Sequence, residues 1–478
     1  MVFGRGFEDA AFPSGEGLIR EVASGENPAP EKAPREHFVL HYPTMNMRGI
    51  ARVAMLIIAT ATGAHSAEPT CEAGAYGAPD QDIVVLAPKD WVPSPGLGYL
   101  ILDGRYGSTL SPTSPVTCGA GYVLLKTESS EQVRLRKRDF KRTREEIPVA
   151  GAVLAGELLE PVGQDTSAVR PLVVMVHGSE TEPAIDNNRA YLLAAQGVAV
   201  FTFDKRGTGQ SGGVYTQNFE LLADDAAAAM AHAQAMAHGH FNRSGYWGQS
   251  QGGWVAPLAA TRSKVDFVAV GFGLVTSPIS EDRDQMLLEA QTMGFNDHEK
   301  EQIRRLSNAT ATIVASHFKS GFEALDILRK EDGDQEWARR INGEYSGEML
   351  RMSDSDLRRV GRAVFDNLEI IWDYDSKSVL SRLNVPLLWV VAEKDREAPI
   401  DETVASLGDF MERGKPFDVY RFPDTDHGMY EFIERPDGTR TNTRVTDGYF
   451  RLIGDWIVGR TGGHYGRARR DLASGDGN

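Results

Sequence analysis

Two rhythms of apolar and polar residues divide the chain. Early on, the short, partly alternating runs DIVVLAP, GYLILD, GYVLLK and EQVRLRKRDF are separated by Gly, Pro and Ser. Such runs read as strands with a buried face, and they predict a small β-rich region over 68–145. REEIPVAGAVLAGELLEP then reads as a hairpin turning at Gly151. Beyond it the strands become continuously apolar: PLVVMVHG, VAVFTFD, VDFVAVGFG and, much later, VPLLWVVAEKD and FDVYRFPD. Helical stretches such as NRAYLLAAQG and FELLADDAAAAMAHAQAMAHG lie between them. A strand with no polar side is covered on both faces, so the pattern predicts an α/β chain with a mostly parallel sheet between helices. Residues 274–383 interrupt this with helical periodicity and almost no strand signal, as in KEQIRRLSNATATIVASHF. They predict a helical cap inserted between a first core part, 146–273, and a second, 384–460. Residues 461–478 read as a flexible tail.

The chain has 478 residues and a formal net charge of −16. That balance disfavours nucleic acid or an anionic membrane surface as partner, since each requires a basic face. The stretch MNMRGIARVAMLIIATATGAHSAEPT has a positive start at Arg48 and Arg52, an apolar run, and small residues from Ala64 to Ala67. This is the layout of a secretory signal peptide over 45–67, its apolar run too short for a comfortable membrane span. Residues 1–44, rich in Gly, Pro and Glu, read as an upstream extension that is non-native or disordered. The expectation is a secreted or periplasmic protein with no stable membrane insertion after cleavage. In that setting two cysteines, Cys71 and Cys118, are expected to pair as a disulfide.

Chemistry enters at GYWGQSQGGW. Gly248-Gln249-Ser250-Gln251-Gly252 has the G-x-S-x-G spacing of a nucleophile elbow, a sharp strand-to-helix turn that exposes a serine at its apex. A serine hydroxyl needs a base within hydrogen-bonding reach and a third group to orient that base. With this elbow the partners follow in the order Ser, acid, His. Four histidines follow Ser250: His298 and His317 fall in the cap, His464 in the tail, and His427 on a loop after a late buried strand. Strand ends of that kind are where sites form in open α/β sheets, so His427 is the expected base. AEKDREAP offers Glu393, Asp395 and Glu397 as the acid; Asp395 is preferred, because a few residues are needed to turn toward His427. Asp424 and Asp426 are alternatives very close to His427 in sequence. Oxyanion donors are expected from the backbone N–H groups of Gln251, at the start of its helix, and of Ser179, after VVMVHG. His177 reads as a structural hydrogen-bonding residue. His232, His238 and His240 have helical spacing, but no acidic or cysteine partner completes a metal set, so neither metal nor cofactor is expected. Trp247 and Trp254 read as core residues.

Together with FDKRGTGQSGG, the HGS turn, the GQSQGG elbow, the AEKDREAP loop and DHGMY make residues 145–460 resemble the α/β-hydrolases. Within that superfamily the chain is similar to bacterial exported acyl esterases of the dienelactone-hydrolase-like group. It departs from the dienelactone hydrolases proper, whose nucleophile is cysteine. The resemblance implies an α/β-hydrolase fold, Ser250, Asp395 and His427 as a triad, Ser179 and Gln251 as oxyanion donors, and structural roles for Asp204 and Arg206. The expected function is hydrolysis of a small-molecule carboxylic ester through an acyl-enzyme. A serine peptidase resembling an aminopeptidase is the alternative, for which the acidic surplus of the cap would receive a substrate amine. A binding module that kept the fold is the reading without catalysis.

Overall fold

The computed structural model describes residues 71–88, 97–162, 169–460 and 462–471. The segments read as an upstream extension and a signal peptide lie outside the described residues.

Strands β1 (Gly74–Tyr76), β2 (Val84–Pro88), β3 (Leu97–Ile101) and β4 (Tyr106–Ser108) form one antiparallel sheet. Strands β5 (Val116–Gly119), β6 (Tyr122–Lys126) and β7 (Gln132–Arg136) form another. Alternation decides how the first sheet packs. Tyr76, Val84, Leu86, Tyr99 and Ile101 face Val116, Val123, Leu125 and Leu135 in a small core. Ala75, Val85 and Leu100, on the opposite face, join the main core. A Cys71–Cys118 disulfide closes the module, with the Cα atoms 5.2 Å apart and the partners 47 positions apart in sequence.

The boundary expected at 145 falls inside β8 (Phe140–Val149), which belongs to the main sheet. Together with β9 (Ala152–Pro161) it forms a hairpin, and Gly151 at the turn has φ +76°, a conformation glycine adopts without penalty. After β10 (Arg170–Val176), α1 (Asn188–Ala195) leads to β11 (Ala199–Phe203), and α2 (Phe219–Met236) to β12 (Phe241–Gln249). Then follow α3 (Gly252–Ala260) and β13 (Phe267–Gly271). The Asn218 side chain caps α2 by accepting from Leu221 N. Ala226, Ala229 and Ala233 lie on the buried side of this helix, small enough for its backbone to approach the sheet closely.

The insertion is helical throughout: α4 (Pro278–Thr292), α5 (Asp297–Ala315), α6 (Phe322–Asp332), α7 (Glu336–Arg340), α8 (Ser346–Arg351), α9 (Asp354–Phe365) and α10 (Ser376–Arg382). The core resumes with β14 (Leu387–Ala392), α11 (Asp401–Glu412) and β15 (Phe417–Phe422). A small antiparallel sheet of β16 (Thr425–Asp426), β17 (Tyr430–Glu434) and β18 (Arg440–Val445) comes next, followed by α12 (Tyr449–Ile457). The main sheet runs β8-β9-β11-β10-β12-β13-β14-β15, and β9 alone of these eight is reversed. This is the α/β-hydrolase fold. The segment read as a flexible tail departs from expectation. Tyr465 is buried, and β19 (Arg469–Asp471) adds an antiparallel edge strand beside β15. Its hold is polar, through Arg421–Asp471 and Arg470–Asp418 ion pairs, which an apolar pattern does not reveal. Among the described residues no helix is long and apolar enough to cross a membrane.

Candidate active site

Ser250 lies between the end of β12 and the start of α3, and its φ is +51°. A non-glycine residue held there is strained, and the surroundings impose it. Ser250 N donates to Gly271 O at 3.1 Å, and Gly253 N donates to Ser250 O at 2.7 Å. A Cβ on Gly248 would stand 2.2 Å from Gly252 O, and one on Gly252 would stand 2.3 Å from Val176 O. The two glycines of the motif are therefore steric necessities.

Ser250 Oγ lies 3.0 Å from His427 Nε2, and His427 Nδ1 lies 2.9 Å from Asp395 Oδ2. The second carboxylate oxygen of Asp395 accepts from the backbone N–H groups of Glu397, at 3.0 Å, and Ala398, at 2.7 Å. With both oxygens engaged, the carboxylate is fixed. His427 follows β16 in a tight turn where Gly428 has φ +72°, and the Phe272 ring packs at 81° to the imidazole with the ring centres 5.1 Å apart. The other acids weighed from sequence have separate work. Asp426 accepts from Arg396 N and His427 N and pairs with Arg440, whereas Asp424 pairs with Arg467. Glu393 is 3.9 Å from Arg469.

Ser179 and Gln251 border the same serine. A Cβ on Gly178 would be 3.2 Å from Ser250 Cβ, so the 177–179 turn abuts the elbow. Among the described residues, nothing accepts a hydrogen bond from the backbone N–H of Ser179 or of Gln251. His177 Nδ1 lies 3.3 Å from Glu180 Oε1 at the end of β10. Asp204 accepts from the N–H groups of Ala184, Ile185 and Gln210, and Arg206 forms a buried bidentate pair with Asp225. These are structural tasks.

Two carboxylates near Ser250, His427 and Asp395 escaped the sequence reading of their roles. Glu397 Oε1 lies 3.6 Å from His427 Nε2, on the side that faces Ser250. Burial alone would push the pKa of His427 down. The charges of Glu397 and Asp395, together with the hydrogen bond to Asp395, outweigh burial and hold it above the ordinary value of 6.5. Asp395 is itself raised, first by burial, against the favourable charge of His427. Glu281, in the first turn of α4, is 2 % exposed, and its Oε1 has no donor among the described residues. Burial first, then the charge of Glu397, raises its pKa to about 7. The neighbouring Asp282, by contrast, is satisfied by Tyr345 N, Ser346 N and Ser346 Oγ. No local motif could have marked Glu281, because its electrostatic relation to His427 and Asp395 spans the cap insertion. His232 lies 3.3 Å from Glu145, and no group of three or more His, Cys, Asp or Glu among the described residues could hold a metal ion.

Comparison with known proteins matches residues 167–304 to the family model described as serine aminopeptidase, S33. A search of curated proteins finds no match. Similar solved structures include the Pyrococcus horikoshii acylaminoacyl peptidase, at 12 % identity and TM-score 0.37, covering 73 % of this chain and 50 % of that one. The Pyrococcus furiosus esterase Pf2001 has 13 % identity and TM-score 0.38, covering 60 % of this chain and 83 % of that one. Est1E from Butyrivibrio proteoclasticus, solved with ferulic acid, has 15 % identity and TM-score 0.36, covering 66 % and 96 %. The chain therefore spans half the length of the acylaminoacyl peptidase.

Proposed function

We propose that this protein is a serine hydrolase that cleaves carboxylic esters through an acyl-enzyme, without metal or cofactor. The supporting observation is the continuous hydrogen-bonded line from Ser250 Oγ through His427 to Asp395 on an elbow at a strand end. In this reading His427 Nε2 takes the Ser250 proton as Oγ attacks the acyl carbonyl. The proton then passes to the leaving alcohol, and the C–O bond breaks. Asp395 fixes the tautomer of His427 and stabilises its cation. The backbone N–H groups of Ser179 and Gln251 receive the oxyanion. A water, deprotonated by His427, attacks the acyl-enzyme, releases the acid and restores Ser250. The proposed substrate is a small ester, met outside the cytoplasm if the segment at 45–67 acts as an export signal.

The test is turnover of short and long p-nitrophenyl esters by the full chain beside its Ser250→Ala variant. The expected result is a fall of about four orders of magnitude or more with the thermal unfolding curve retained. Equal activity in both proteins would remove Ser250 from the mechanism.

One observation favours a second reading. Glu281 and Glu397 set negative charge beside His427, a setting suited to a substrate with a free amine, as in an aminopeptidase. On that reading alanine p-nitroanilide is turned over faster than propionyl p-nitroanilide, and Glu281→Gln removes the difference. On the ester reading neither anilide competes with p-nitrophenyl propionate.

A further inference from the structure

A buried lysine stands directly behind the turn that borders the nucleophile. Lys205, in the loop after β11, is 4 % exposed, and its Nζ donates to Gly178 O at 2.6 Å. Desolvating an ammonium is costly unless a strong acceptor compensates it, and this carbonyl is the acceptor that Nζ meets. The carbonyl of Gly178 and the N–H of Ser179 belong to one peptide group, and the described residues contain no cis peptide. In a trans peptide the C=O and N–H bonds point in opposite directions, so their dipoles add. An ammonium gripping the carbonyl therefore turns the Ser179 N–H away from itself. It also polarises the peptide, which strengthens the N–H as a donor. The next peptide is held as well, because the Tyr215 hydroxyl donates to Ser179 O, and Lys205 Nζ lies 5.2 Å from the centre of the Tyr215 ring. Both peptides flanking Ser179 are thus clamped through their carbonyls, while its N–H meets no acceptor among the described residues.

We propose that Lys205, with Tyr215, is a positioning residue for the oxyanion site: it orients and polarises the Ser179 amide toward the tetrahedral intermediate formed on Ser250. The inference rests on the serine-hydrolase reading above. An amide fixed before the reaction costs no reorganisation when the oxyanion forms, so the clamp acts on the transition state and leaves substrate binding nearly untouched. The charge is supported by its setting. Burial pushes Lys205 down to about 8, while Glu180 and Glu182 nearby work in the opposite direction.

The experiment compares wild type, Lys205→Met, Lys205→Arg and Tyr215→Phe. Active sites are counted by fluorophosphonate titration, and kcat per site and KM are measured for p-nitrophenyl butyrate. Affinity for a trifluoromethyl ketone, which adds to the serine as a tetrahedral adduct, is compared with that for a planar methyl ketone. Lys205→Met is expected to lower kcat per site by about 10- to 100-fold, less than the roughly 100- to 1000-fold for a donor lost outright, because the Ser179 amide itself remains, with KM within about twofold. Trifluoromethyl ketone affinity should fall in parallel, planar ketone affinity should hold, and Lys205→Arg should recover part of the loss. Wild-type kcat per site in Lys205→Met, or a loss of kcat without loss of trifluoromethyl ketone affinity, would overturn the proposal. A role confined to folding would lower the titre of active sites and leave kcat per site unchanged, and that result also overturns it. If Lys205→Met does not fold, Tyr215→Phe decides, because it keeps the ring and removes one clamp: a smaller kcat loss of the same kind is expected, and an unchanged kcat contradicts the inference. A wild-type protein that fluorophosphonate fails to label would instead sink the hydrolase reading beneath it.

Discussion

At the scale of single residues, the distinctive feature is the charge around His427. The proposed mechanism needs a neutral imidazole, yet Glu397 and Asp395 favour the cation and hold its pKa above the ordinary value. A base with a raised pKa is protonated below that value and gains activity as the pH rises through it. The acidic limb of kcat/KM, which reports the free enzyme, is therefore expected above pH 6.5. Glu397→Gln removes one of these two charges and should move that limb to lower pH. A limb that stays in place in the variant would mean that Glu397 does not act on His427. That Ser250, Asp395 and His427 meet was legible because each follows an apolar strand inside a short glycine-rich or charged motif. The contact of Glu397 with Nε2 was not, since its sequence position is equally that of an acid-loop alternative and only the turn at Gly428 settles which face it meets. Glu281 was illegible for a different reason: nothing near it in sequence records that it is buried with its Oε1 lacking a donor among the described residues.

At the scale of elements, continuous apolarity identified the parallel strands, because burial on both faces leaves its mark on every residue. The elbow was equally legible, and its glycines can be tested. Gly248→Ala places a methyl group against the backbone of Gly252, 2.2 Å from its O, and at 2.9 Å against Ala256 Cβ, neither of which can swing aside. A loss of about 1–3 kcal/mol or more is expected for such overpacking, read from urea denaturation, together with a fall in activity from the displaced Ser250. An unchanged midpoint would show that the turn relaxes more easily than its contacts imply. Other elements escaped notice. The β17–β18 hairpin carries a turn signal in Pro436-Asp437-Gly438, and Gly438 has φ +83°, but β17 is interrupted by glutamates, β18 is almost wholly polar, and both are largely half-buried, so continuous apolar patterning passes over them. The edge strand β19 is shorter still, and ion pairs attach it.

At the scale of the whole molecule, the N-terminal module is joined to the region that bears His427. Gly104 O accepts from Val445 N at 3.1 Å, and the rings of Tyr106 and Tyr430 meet edge-on at 5.9 Å. Arg451 donates to the carbonyls of Pro79 and Gln81. These contacts join residues hundreds of positions apart, so the sequence revealed the module but not where it docks. In the chain-entropy account the disulfide adds roughly 4 kcal/mol. Cys71→Ser combined with Cys118→Ser should lower the urea midpoint of the module accordingly, and an unshifted midpoint would mean that docking alone holds it. The expectations about activity depend on Ser250 being the nucleophile. The most direct measurement is fluorophosphonate labelling of the full chain followed by peptide mass mapping. The account predicts one stoichiometric adduct, on Ser250, that disappears in Ser250→Ala and forms far more slowly in His427→Ala. An adduct elsewhere, or none on a folded and pure protein, would contradict it.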